Sequence, residues 1–201
     1  KQEHLRFLVP DEIHQFYDMF YPKKSRFALC SWLKERMFMA MLWVDEKLLA
    51  GDLHHILFRK ISIYTQTLEF IEQHTDAQIV VLGSGFDHLA WVFSTRTTCF
   101  ELDVPAVIQQ KKMILGESRE LLHFVEWNAN SDSLADVLSS NTHFNSNYPT
   151  LFITEGLIDY LTFEVLERVI RSFKTLNPRN DWLTTHFDRE QLSWLHRLSF
   201  E

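Results

Sequence analysis

Two glycines and a carboxylate, Gly83, Gly85 and Asp87, follow directly on the apolar run at residues 79–82. Glycines at such a turn let the backbone come close to a ligand. Asp103 lies 20 residues past Gly83, the offset at which an acidic side chain grips ribose hydroxyls. A carboxylate can accept two hydroxyl hydrogen bonds in a fork. The two features together favour a nucleoside-containing ligand. The plainer alternative is a strand-to-helix corner at residues 83–87 and a helix cap at Asp103. A dinucleotide is the weaker fit, because His88 stands where that fingerprint wants its third glycine.

These residues need strands and helices to hold them. The 58–72 segment has Ile61, Tyr64, Leu68 and Ile71 on one helical face, and residues 25–44 are also rich in helix formers. The period then changes. Residues 79–82, 97–102, 123–127 and 149–156 read as strands. Residues 86–93, 105–115, 133–138 and 163–173 read as helices, with Asp103 as the N-cap and Pro105 in the first turn of the second. Strands alternating with helices predict an α/β fold, a Rossmann-like and mainly parallel sheet with flanking helices. Residues 1–75 are expected to form an N-terminal helical cap or lid, and 76–201 the ligand-binding α/β domain, as one compact unit. The 28 residues after Phe173 hold no convincing strand pair, so the fold is expected to be shortened there. The stretch "DREQLSWLHRL" reads as one amphipathic helix.

Composition narrows the function. The chain has 201 residues, 46% of them hydrophobic, enough for one core. Five Gly and five Pro are too few for a disordered chain or a turn-rich all-β fold. A formal charge of −7 disfavours nucleic acid as a partner. Cys30 and Cys99 are too few for a disulfide framework, which points to a reducing, cytoplasmic setting. No signal-peptide pattern is visible, and no apolar run is long enough to cross a bilayer. Asp52, His54 and His55 cluster in sequence, but no second group with ligand spacing joins them, so no metal site is expected.

The blocks "VVLGSGFD", "CFELDVPAVIQQKKMIL" and "PTLFITEGLIDYL" appear in this order. Together they resemble the leucine carboxyl methyltransferase family of S-adenosylmethionine-dependent enzymes, over roughly residues 20–175. The resemblance implies that Gly83 and Gly85, in the turn that ends at Asp87, line the methionine end of the cofactor. It implies that Asp103 holds the ribose, Glu155 pairs with the cofactor's ammonium, and Arg59 binds its carboxylate in a fork. Asn128 stands where the family has an aspartate that accepts from the adenine amino group. Ser25 stands where the family has a lysine. The implied reaction is methyl transfer to a carboxylate oxygen, such as the C-terminal leucine of a protein phosphatase catalytic subunit. A small-molecule or tRNA-base acceptor is the alternative within the family, and a non-catalytic scaffold the alternative outside it. A carboxylate-bearing protein or small molecule is thus the expected partner, with no membrane involved and the oligomeric state open.

Overall fold

The structure, a computed structural model, describes residues 11–20, 36, 52–116 and 119–186. Helices are α1 (Asp11–Phe20), α2 (Asp52–Gln73), α3 (Leu89–Phe93), α4 (Pro105–Leu115), α5 (Leu134–Ser139) and α6 (Phe163–Leu176). Strands are β1 (Gln78–Leu82), β2 (Thr98–Asp103), β3 (Leu122–Glu126), β4 (Thr150–Glu155) and β5 (Asp181–Thr185). The five strands form one sheet in the order β3-β2-β1-β4-β5, and every neighbouring pair is parallel. This is the expected Rossmann-like sheet. The expectations for residues 25–44, for Cys30 and for the terminal amphipathic helix fall outside the described residues, as do the side chains of Asp52, His54 and His55.

Parallel sheets are covered on both faces, so their central strands are apolar throughout. All five residues of β1 are buried. Alternate residues feed two separate cores. On one face Ile79, Val81, Cys99, Leu151 and Ile153 meet Phe16 of α1, Ile63 and Phe70 of α2, and most of α3. On the other, Val80, Leu82, Phe100, Leu102 and Phe152 meet Leu134 and Leu138 of α5 and Val169 and Phe173 of α6. The result is a three-layer sandwich of helices, sheet and helices. Cys99 is fully buried, and burial first, then Glu101, holds its thiol protonated well above the ordinary range. It packs and does not react.

Local chemistry sets the helix boundaries. Ser133 and Thr162 cap α5 and α6 by accepting from Asp136 and Val165 N–H groups. The N-cap of α4 is Val104, with Pro105 inside the helix, so the cap falls one residue later than the sequence pattern predicts. Asp103 belongs to β2 and is free to turn its carboxylate elsewhere. The strand β5 also departs from the expectation. Its pattern runs from exposed to half-buried, without the apolar core that marks β1 or β4.

Phe152 is wholly buried and stacks on Phe173, with ring centroids 4.2 Å apart. Phe152→Ala is expected to lower the unfolding free energy by about 3–5 kcal/mol. Phe163→Ala, at a position 76% exposed, is expected to stay within about 0.5 kcal/mol of wild type. Urea denaturation of both variants checks the contrast.

Candidate functional site

Register alone brings the site together. Leu82 pairs with Leu102 on one side and Thr154 on the other. The next position on each strand end is therefore Gly83, Asp103 and Glu155. All three lie at the carboxyl edge of the sheet, where open α/β folds bind ligands.

The turn after β1 is built by its glycines and by Asp103. Gly83 has φ +65° and Gly85 φ +46°. Both lie in the left-handed region that side chains disfavour. At Gly83 an added Cβ would meet Leu157 Cδ1 at 2.9 Å, whereas at Gly85 it would meet nothing within 4 Å. Gly83 thus allows close packing of the turn on the loop after β4, and Gly85 faces open space. Asp103 Oδ2 accepts the Gly85 N–H at 2.7 Å, and Oδ1 accepts the Val104 N–H at 2.7 Å. Each oxygen keeps a lone pair for a further donor.

Two carboxylates and two cations gather beside this turn. Arg59 Nε lies 3.0 Å from Glu155 Oε1. Lys60 Nζ donates to Asp87 Oδ2 at 3.0 Å and to Glu155 Oε2 at 2.8 Å. Asp87 Oδ1 also accepts the His88 N–H at 2.6 Å. Burial works against the Lys60 ammonium, but Asp87 and Glu155 outweigh it and raise its pKa. Burial likewise works against the Asp87 carboxylate, but Lys60 and His88 outweigh it and lower its pKa. Burial first, then Lys60 and Lys111, lower the His88 pKa against the pull of Asp87.

A cleft of about 320 Å³ opens here, lined by Arg59, Lys60, Gly83, Ser84, Asp87 and Glu155 among others. Ser84 is 3% exposed, and its Oγ has no hydrogen-bond partner. Buried polar atoms are rarely left so without a ligand or water to meet them. A second cleft of about 380 Å³ shares Arg59 and runs between α2 and the end of β5.

Six of the seven residues singled out from sequence thus converge. Asn128 lies beyond the end of β3, where its side-chain oxygen accepts the Asn130 N–H at 3.0 Å and its own N–H donates to Asp132 at 2.8 Å. One of its two acceptor positions is already used within the loop. Sequence reading missed Lys60, although its place beside Arg59 on one helix was a usable signal. It also missed Lys111, which forms a fully buried ion pair with Glu101 and donates to the Asp87 carbonyl at 2.8 Å. No group of three or more metal-ligating side chains occurs among the described residues.

Two outcomes follow from this geometry. Gly83→Ala is expected to cost more stability than Gly85→Ala, because it adds a clash with Leu157 to the roughly 1–2 kcal/mol of left-handed strain that both share. Thermal melts of the pair check the order. The second outcome concerns Glu101, whose carboxyl is pushed up to about 7 by burial, against the pull of Lys111. Between the ordinary carboxylate value and about 7, the folded chain keeps a proton that the unfolded chain has released. Stability from this group is therefore full at acid pH and falls as pH rises through that window. Melting temperatures from about pH 5 to 8 should show wild type losing ground to Glu101→Gln as pH rises.

The family model described as leucine carboxyl methyltransferase matches residues 31–174. A Mycobacterium marinum protein named "Putative S-adenosyl-L-methionine-dependent methyltransferase" is 30% identical over 123 residues, which are 58% of this chain and 38% of that protein. A Streptomyces coelicolor protein with the same description is 31% identical over 121 residues, 55% of this chain and 42% of its own length. The chain thus spans well under half of these relatives. A solved structure described as "a putative methyltransferase from Thermobifida fusca YX" is 15% identical with a TM-score of 0.57, and covers 91% of this chain and 69% of its own. That likeness shows a shared fold. With most of its α/β part inside the family match, the chain belongs to the leucine carboxyl methyltransferase family.

Proposed function

We propose that this chain binds S-adenosylmethionine in the cleft at residues 83–87 and serves methyl transfer to a carboxylate oxygen. The observation that carries the reading is the pairing of Arg59 with Glu155 beside a glycine turn. A guanidinium next to a carboxylate matches the carboxylate and ammonium of an amino acid, with charges opposed at both ends. Lys60 supplies a further cation to the same cluster. Ser84 Oγ, in the same cleft, is buried and has no hydrogen-bond partner among the described residues. Gly85 leaves room over the turn, and Asp103 has lone pairs free for ribose hydroxyls. Asn128 can accept from the adenine edge with its remaining lone pair.

The cofactor supplies a methyl group already activated on a sulfonium. The protein's task is then alignment and exclusion of water. A carboxylate acceptor is ionised at neutral pH and needs no general base. His88, the imidazole beside the turn, is half-buried and engaged by Asp87 and Tyr17, and His186 lines the second cleft; this reading asks neither to act as a base. The second cleft, which shares Arg59, is the acceptor side in this reading. Helix α2 borders both clefts through Arg59 and covers the ligands from that side in this reading. A leucine carboxyl group is the acceptor in the family's description, and the C-terminal leucine of a protein phosphatase catalytic subunit is the acceptor proposed here.

The acceptor is tested by transfer of a labelled methyl group. A peptide ending in a free leucine carboxylate is expected to take the label, and its C-terminal amide to take none. Equal labelling of both peptides would place the reaction elsewhere, and labelling of small carboxylic acids alone would replace the protein acceptor. Asp103→Ala is expected to weaken binding of S-adenosylmethionine by about 1–3 kcal/mol, because it strands the Gly85 and Val104 N–H groups and removes the ribose acceptor. Calorimetry on the variant measures it.

A further inference from the structure

Two charges occupy positions that this fold otherwise fills with apolar residues. Lys111 shares the inner face of α4 with Ile108 and Leu115 and is 0% exposed. Glu101 lies in β2 between Phe100 and Leu102 and is 1% exposed. The two form an ion pair. Such a pair, taken out of water, is often no more stabilising than apolar residues of the same volume. Burial also prevails over Lys111 at the Glu101 carboxyl, where Asp87 and Asp103 add like-charge repulsion. Stability therefore gives little reason for charges here.

Position gives a better one. The Lys111 ammonium donates to the Asp87 carbonyl oxygen at 2.8 Å and lies 5.8 Å from the centre of the Phe16 ring. Asp87 is the last residue of the glycine turn, and its carboxylate carries the link to Lys60. Besides that link, two side chains tether the backbone of the turn. Asp103 holds its middle through the Gly85 N–H, and Lys111 holds its far end.

We propose that Lys111, held in place by Glu101, is a positioning residue that fixes the Asp87 end of the turn without touching the ligand. The inference rests on the reading of this turn as the S-adenosylmethionine site. Its consequence is that the pair serves ligand affinity and can be removed without loss of the fold.

The double variant Lys111→Met with Glu101→Leu replaces both charges by apolar groups of similar volume. Amide hydrogen exchange at Gly85, Asp87 and His88 reads the turn with no ligand present. Calorimetry with S-adenosylhomocysteine reads the site. The double variant is expected to melt at or above wild type and to keep wild-type exchange in β1. Its turn amides are expected to exchange about tenfold faster or more, and its Kd to rise about tenfold, the scale of losing one hydrogen bond from a charged donor. A double variant that melts far below wild type makes the pair a stability element and overturns the proposal. So does one whose turn exchange and Kd match wild type. A wild type that binds no S-adenosylhomocysteine refutes the reading of the site instead, and the exchange data still report the tether separately.

Discussion

The Asp103 carboxylate accepts the Gly85 N–H at 2.7 Å, and the site depends on that bond more than on any other. It joins the end of β2 to the turn after β1. The bond forms only because β1 and β2 are parallel and in register, Leu82 beside Leu102. A slip of one residue would turn Asp103 to the opposite face of the sheet. The register in turn is set by the two cores, which take alternate residues of β1, β2 and β4. Burial of apolar residues on both faces therefore fixes, at one edge, the spacing of polar groups that have little part in stability.

Helix α2 completes the site from outside the sheet. Ile63 and Phe70 anchor one face of it in the core. Arg59 and Lys60, one turn earlier, then project over the strand ends toward Glu155 and Asp87. Arg59, Glu155 and Asp87 are largely withdrawn from water, Lys60 less so, and pairing within the cluster offsets the cost of that burial. A zwitterionic ligand can enter such a cluster without leaving a charge stranded. A simple anion or cation would unbalance it. In the proposed function, specificity for an amino-acid end group comes from this charge balance as well as from shape.

Much of this was legible in the sequence, for a physical reason in each case. The strands β1, β2 and β4 stand out because a parallel strand buried on both faces is an unbroken apolar run. Gly83, Gly85 and Asp103 stand out because a tight turn, and the ribose grip proposed for Asp103, restrict residue type. What stayed hidden depended on partners distant in the chain. Strand β5 is half-buried at the sheet edge, so "DWLTT" carries little pattern of its own. Helix α1 owes its place to Phe16, buried against Trp91 and the rest of one core. Lys60 gains its role only when β4 brings Glu155 within 2.8 Å. Lys111 and Glu101 were readable as charges out of place in an apolar helix face and a buried strand, and each explains the other only once the fold pairs them. The cap of α4 was placed one residue early because Asp is a common N-cap, while this Asp is committed to the turn.

The roles proposed for Arg59, Glu155 and Asp103 all require S-adenosylmethionine as the ligand of the cleft beside the glycine turn. The most direct measurement is calorimetric titration of that compound into the protein, with methionine alone and adenosine alone as controls. Saturable heat for one site per chain is expected, with each half-ligand binding much more weakly than the whole. No heat at high micromolar ligand, or binding of adenosine as tight as that of the whole, would contradict it.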